Sequence, residues 1–236
     1  MKKVLIVKTG ATFDAIKNKY GDFEDFVLNH AGITREDVLI WPAYLNKPAP
    51  DLDDVSAIII TGSHAMVTDQ DDWSMALCAW LRSHRSKCIP TLGICFGHQL
   101  ISQAFGGQVD YHPQGKELGT VSIQLTEAGI SDPLLGVLPQ NFLGHVAHSQ
   151  TVLQLPPGAR ILARNDFEQH HAFALDDCIW GVQFHPEFNA GITEAYIEEQ
   201  RQDLINAGMD IDFLRRTIRE HDYGIRLLEQ FISLVA

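Results

Sequence analysis

The segment Gly93-Ile94-Cys95-Phe96-Gly97-His98-Gln99, set directly after the apolar run from Ile89 to Ile94, constrains this chain more than any other feature. An apolar run that meets a cysteine between two glycines reads as a buried strand turning sharply into a helix. Such a turn projects the cysteine into a cleft, while glycines at 93 and 97 relieve crowding around it. A free thiol has a pKa of roughly 8.5, and its thiolate is the reactive form. The helix starting near Phe96 puts partial positive charge beside the sulfur, which favours that thiolate. It also offers the Phe96 N–H as a donor to a developing oxyanion.

A strand of this kind needs neighbours. Lys3 to Val7 is a short apolar run ending near Thr9-Gly10, and 54–60 is another, ending in Thr61-Gly62-Ser63. Between them and the elbow, Trp73 to Arg85 carries Met75, Leu77, Cys78, Leu81 and Arg82 at roughly the helical period. Short β-branched runs alternating with helices predict an α/β fold with a mostly parallel central sheet flanked by helices. From Gly107 to Gln183 the texture changes. Val121 to Leu125 and Arg160 to Arg164 alternate in polarity and are separated by turn signals such as Pro156-Pro157-Gly158. These predict an antiparallel sheet appended to the parallel core. Ile179 to Phe184 reads as a last strand, delivering His185. Beyond Phe188, Ile211, Leu214 and Ile218, then Leu228, Phe231, Ile232 and Val235, fall on helical faces. They predict two C-terminal helices that either pack on the core or serve as a lid or a homo-oligomer contact. At 236 residues, a single domain over 1–236 is expected, with its core at about 3–188 and a helical extension at 189–236.

Charge narrows the class of partner. A net charge of −12, from 18 basic and 30 acidic residues, with no Lys/Arg cluster, argues against nucleic-acid binding. The apolar start Val4 to Val7 is broken by Lys8-Thr9-Gly10 with no cleavage-site pattern, so it reads as a strand and not a secretory signal. No apolar stretch is long enough for a membrane span, and a cytoplasmic location is expected. Cys78, Cys88 and Cys178 show no CxxC pairing or zinc spacing and are expected as small buried thiols. His145 and His148 have metal-like spacing but lack an evident third ligand, so no metal site is expected. His170-His171 reads as a solvated loop. There is no phosphate loop, dinucleotide fingerprint or other cofactor motif, and no cofactor is expected.

The partner for the cysteine is His185-Pro186-Glu187. Proline disfavours helix for the residue before it, and positions i and i+2 of an extended segment face the same side. His185 then faces the nucleophile while Glu187 orients its ring and stabilises its cation. Gln99 lies one helical turn beyond Cys95 and reaches the same pocket.

Gly93 to Gln99, followed by Gly181-Val182-Gln183-Phe184-His185-Pro186-Glu187, closely resembles the class I (triad-type) glutamine amidotransferases, nearest the stand-alone proteins similar to the glutaminase part of GMP synthase. The likeness runs from about Lys3 to Phe188. It implies the flavodoxin-like amidotransferase fold and attack of Cys95 on the carboxamide of glutamine, giving a γ-glutamyl thioester and ammonia. It implies that His185 protonates the leaving amine and later activates water, with Glu187 as orienter. The Gly62 N–H would complement that of Phe96, although Thr61 and Ser63 stand where the family often has Gly-Gly-Pro. Gln99 matches a glutamine-contacting position, and His148 to Val152 matches the segment that holds the amino-acid end of the substrate, through Ser149 and Gln150. Family members often carry Asp where Gln150 stands.

No second domain of the kind that uses ATP for amination is present, so ATP-driven amination is not expected of this chain alone. Three readings stay open: a stand-alone hydrolase of glutamine or another γ-glutamyl compound, a glutaminase subunit feeding a separate synthase, and an idle regulatory or binding subunit. Intact Cys95, His185 and Glu187 weigh against the last.

Overall fold

The structure is a computed structural model that describes residues 2–235. Strand β1 (Lys3–Lys8) leads into helices α1 (Asp14–Tyr20) and α2 (Phe23–Ala31), and β2 (Val38–Pro42) returns beside it. Strand β3 (Val55–Ile60), helix α3 (Asp72–His84), strand β4 (Thr91–Ile94) and helix α4 (Phe96–Ala104) follow. Next come β5 (Gln108–Tyr111), β6 (Glu117–Leu125), a short α5 (Glu127–Ile130), β7 (Asn141–His148), β8 (Gln150–Gln154), β9 (Arg160–Arg164), β10 (Ala172–Leu175) and β11 (Ile179–Val182). The chain ends in α6 (Ala190–Glu199), α7 (Arg201–Asn206), α8 (Ile211–Thr217) and α9 (Tyr223–Ser233).

Nine strands form one sheet in the order β2-β1-β3-β4-β11-β10-β9-β6-β7, and β5 pairs with β8 in a separate two-stranded sheet. Pairing is parallel from β2 through β11 and antiparallel from there to β7. The expected α/β core and its antiparallel addition are thus both present, with most of the antiparallel strands continuing the parallel sheet edge to edge.

The alternation of side chains along each strand sorts the core into two layers. Val4 and Ile6 of β1, with Ala57 and Ile59 of β3, pack with α2 and α9 on one face. Leu5 and Val7, with Ile58 and Ile60, pack with α3 and α4 on the other. Because both faces are covered, these strands read as continuous apolar runs.

Several expectations are corrected. Strand β2, a five-residue edge strand between Asp37 and Ala43, is absent from the expected set. The last strand stops at Val182, two residues short of Phe184. The two expected C-terminal helices are present as α8 and α9, and two unpredicted helices, α6 and α7, precede them on either side of a break at Gln200. Helix α9 belongs to the main core: Leu227, Leu228 and Phe231 are fully buried there. Cys88 and Cys178 form a disulfide, their Cα atoms 5.8 Å apart, where free buried thiols were expected. Parallel pairing of β4 with β11 causes this, since the Thr91 N–H donates to the Cys178 carbonyl at 2.8 Å and draws the two strand starts together. Cys78 is free and buried as expected, and burial pushes its thiol pKa up to about 11. His171, expected in solvent, is fully buried at the head of β10, its Nε2 3.5 Å from Glu117.

No helix among the described residues is long and apolar enough to cross a membrane. If α9 is integral to the core, Phe231→Ala should lower unfolding free energy by about 3–5 kcal/mol, as expected for truncation of a buried aromatic. Chemical denaturation measures this, and a loss below about 1 kcal/mol would show that α9 is only loosely attached.

Candidate active site

Strands β4, β3 and β11 lie side by side and end at the same edge of the sheet. That edge is where an open parallel sheet binds its ligands. Cys95 follows β4 directly, with φ 51° and ψ −99°. A side chain rarely adopts this conformation, and holding it costs on the order of 1–3 kcal/mol. Gly97 makes the turn sterically possible: a Cβ there would sit 2.6 Å from the Ile60 carbonyl oxygen. The elbow is pinned by the Cys95 N–H donating to the Val182 carbonyl at 2.8 Å. The residue is 6% exposed, and its sulfur is free and 3.9 Å from the Ala147 carbonyl oxygen.

His185 and Glu187 meet as expected, with Nδ1 of the imidazole 2.8 Å from Glu187 Oε1, both side chains buried. The local geometry differs from expectation. His185-Pro186-Glu187 forms a turn, closed by the Phe188 N–H donating to the His185 carbonyl at 3.3 Å, and not an extended segment. The ring also stacks on Phe188 at 4.0 Å between centroids. With Nδ1 taken by Glu187, the other ring nitrogen is left free, and the Cys95 sulfur lies within electrostatic reach of the ring.

Charge singles out this histidine. Burial alone would lower its pKa, but the Glu187 carboxylate and the negative charge of a Cys95 thiolate outweigh that and raise it. His145 and His171, buried without such a pair of anions, are lowered to about 3, and His98 falls well below the ordinary range for the same reason. His185 is therefore the buried imidazole built to carry a proton at neutral pH.

The loop after β3 is tied to the end of β1. Thr9 N–H donates to Thr61 Oγ1 at 3.1 Å, Thr9 Oγ1 donates to the Gly62 carbonyl at 2.8 Å, and Ser63 Oγ donates to the Thr9 carbonyl at 2.8 Å. The Thr and Ser that replace the family's Gly-Gly-Pro thus supply anchoring hydrogen bonds. Gly62 lies against the His185 ring, since a Cβ on it would be 3.0 Å from the ring Cε1.

Cys95 opens into a cavity of about 240 Å³ lined also by Ser63, Phe96, Gln99, Ser149 and Gln150. The two glutamines have structural tasks there. Gln99 Nε2 donates to the Gln150 carbonyl at 2.8 Å and to Gln183 Oε1 at 3.0 Å. The Gln150 side chain accepts from the Val67 N–H at 3.0 Å and donates to Thr68 Oγ1 at 2.6 Å. His145 and His148 do not share a ligand point: His145 stacks on His221 at 4.3 Å, whereas His148 Nε2 is 3.0 Å from Glu117. No cluster of three potential metal ligands occurs among the described residues.

The rest of the cavity wall was not predicted. Phe13, His64, Lys116, and Tyr196, Glu199, Gln200 and Asp203 of the C-terminal helices all line it. No motif marks them, because their approach depends on docking segments such as Lys116 and Gln200, 84 residues apart.

Comparison with known proteins agrees with this architecture. The sequence model of the glutamine amidotransferase class-I family matches residues 18–202, and the chain belongs to that family. It is 27% identical to gamma-glutamyl peptidase 4 of Arabidopsis thaliana over 205 residues, covering 81% of this chain and 78% of the relative. It is 34% identical to a glutamine-hydrolyzing GMP synthase subunit of Sulfurisphaera tokodaii over 152 residues, covering 64% and 75% of the two chains. The crystal structure of a glutamine amidotransferase from Thermotoga maritima superposes with a TM-score of 0.78 at 16% identity, covering 100% of this chain and 98% of that one, which shows the shared fold.

The raised pKa of His185 sets a pH prediction. Its protonated form should persist above the ordinary imidazole value of about 6.5. Glu187→Gln removes the largest opposing charge, so burial should win and the titration should move to lower pH. Ring nitrogen NMR across pH measures both proteins, and identical titrations would show that Glu187 does not set the charge of His185.

Proposed function

We propose that this chain hydrolyses the γ-amide of glutamine or of a related γ-glutamyl compound, with Cys95, His185 and Glu187 as its catalytic set. One observation carries the reading: a strained, free cysteine opens into a cavity within electrostatic reach of a buried imidazole that is held at 2.8 Å by a buried carboxylate.

In this mechanism the Cys95 thiolate attacks the γ-carbonyl carbon. The resulting oxyanion is held by the N–H groups of Phe96 and Gly62, and removal of one such donor typically costs about 10²–10³ in rate. His185 gives its proton to the departing nitrogen, so ammonia or an amine leaves and a γ-glutamyl thioester remains. The neutral imidazole then takes a proton from water, whose hydroxide attacks the thioester carbon. Collapse releases glutamate and restores the thiolate–imidazolium pair. Glu187 keeps the ring oriented and compensates its charge throughout. Gln99, Ser149 and Gln150 frame the amino-acid end of the substrate, the two glutamines by fixing the backbone and loop around it.

The similarity to gamma-glutamyl peptidases supports a γ-glutamyl amide as substrate. The similarity to the glutamine-hydrolyzing GMP synthase subunit supports a second reading, in which ammonia passes to a separate synthase. Glutamate release from glutamine and from γ-glutamyl dipeptides separates them. Unaided turnover is expected, with a loss of about 10³-fold or more in Cys95→Ser. Turnover that survives Cys95→Ser would sink the nucleophile assignment. Wild-type silence relieved by a separate synthase would favour the second reading.

A further inference from the structure

A γ-glutamyl substrate brings a carboxylate and an ammonium into the cavity, yet Gln99, Ser149 and Gln150 are all uncharged. The Gln150 carboxamide is moreover engaged at both ends by Val67 and Thr68, and it carries no charge to match an ammonium. The charges needed to match the substrate must come from elsewhere on the wall.

They come from one corner. Lys116 is the one lysine or arginine lining the cavity among the described residues. Strand pairing sets Glu117 opposite His148, which places Lys116 beside Ser149 on the amino-acid side of the site. The Lys116 ammonium is half-buried and donates to the neutral Gln200 Oε1, with no ion pair to a carboxylate among the described residues. A half-buried cation whose side-chain hydrogen-bond partner is a neutral amide can still take an anion, because charge partly withdrawn from water is stabilised by an opposite charge. Burial pulls its pKa down while Asp203 and Cys95 pull it up, which puts both of those groups within electrostatic reach. Asp203 and Glu199 line the same corner and stay exposed, so the corner presents one positive and two negative groups. A bare anion would meet repulsion there. A zwitterion would be matched.

We propose that Lys116, held by Gln200, receives the α-carboxylate of the γ-glutamyl group and that Asp203 receives its α-ammonium. The assignment rests on the γ-glutamyl reading of the site. It makes the C-terminal helices a part of substrate recognition, with Lys116 and Asp203 setting specificity at the end of the substrate remote from the scissile bond.

Protection of Cys95 from iodoacetamide, read by peptide mass spectrometry, tests binding without relying on turnover. The ligands are glutamine, glutaramate (which lacks the ammonium), 4-aminobutyramide (which lacks the carboxylate) and γ-glutamylglycine (which adds a carboxylate on the leaving group). Lys116→Met should raise the half-protecting concentration of glutamine and glutaramate by about 10- to 100-fold, as expected for loss of a charged hydrogen bond. It should leave 4-aminobutyramide unchanged. Asp203→Asn should show the converse, weakening glutamine and 4-aminobutyramide and sparing glutaramate. Gln200→Leu, which frees the Lys116 ammonium without removing it, should follow the Lys116→Met pattern in smaller measure. Thermal unfolding without ligand should match the parent, showing an intact fold in each variant.

Equal shifts for all ligands, or none, would overturn the assignment, as would a wild-type site that no ligand protects. A Lys116→Met effect confined to γ-glutamylglycine would move the receptor to the leaving-group carboxylate and overturn it too. Glutamine turnover, followed in parallel, judges the hydrolytic reading separately: selective protection without turnover would keep the receptor and sink unaided hydrolysis.

Discussion

The parallel pairing of β4 with β11 is the constraint on which the rest of the site depends. Its register sets Ile94 beside Val182, and the Cys95 N–H closes on the Val182 carbonyl. Two chain segments about ninety residues apart therefore end together, one releasing Cys95 and the other His185. Strand β3 pairs on the other side of β4, with Ile60 opposite Gly93, and releases the loop carrying Gly62 at the same edge. A slip of one residue in either pairing would turn alternate side chains to the wrong face and separate the three groups. The fully buried aliphatic clusters on both faces of the sheet are what hold the register.

Within that frame, burial does opposite things to similar residues. His145, His98 and His171 are buried and kept neutral, so their rings serve as packing groups. His185 is as deeply buried, yet Glu187 and Cys95 keep it cationic. The difference is two negative partners within contact distance, not the residue type. Low polarity around the pair strengthens their mutual attraction. The same argument gives Lys116 its significance, since it is a cation drawn into the cavity wall with an amide in place of an anion.

The parallel core, the elbow and the His185-Glu187 pair were legible because each is local: an apolar run, a glycine-flanked cysteine, an imidazole and carboxylate two positions apart. What was not legible depends on distant segments meeting. The Cys88–Cys178 disulfide follows from strand register and not from spacing. His171 looked like a loop residue, but its neighbour Glu117 comes from β6. Thr61 and Ser63 looked like departures from a rigid loop until Thr9, some fifty residues earlier, appeared as their anchor. The role of α6 and α7 in the cavity wall left no trace in the motifs, because their periodicity reports only the face that packs inward.

The central claim is that Cys95 becomes covalently acylated by a γ-glutamyl group. Acid quenching during turnover of glutamine, followed by digestion and mass spectrometry, tests it most directly. The peptide containing Cys95 should carry the mass of one γ-glutamyl unit, removable by hydroxylamine as a thioester. An adduct on Ser149 or Cys78, or turnover during which no residue carries an adduct, would contradict it.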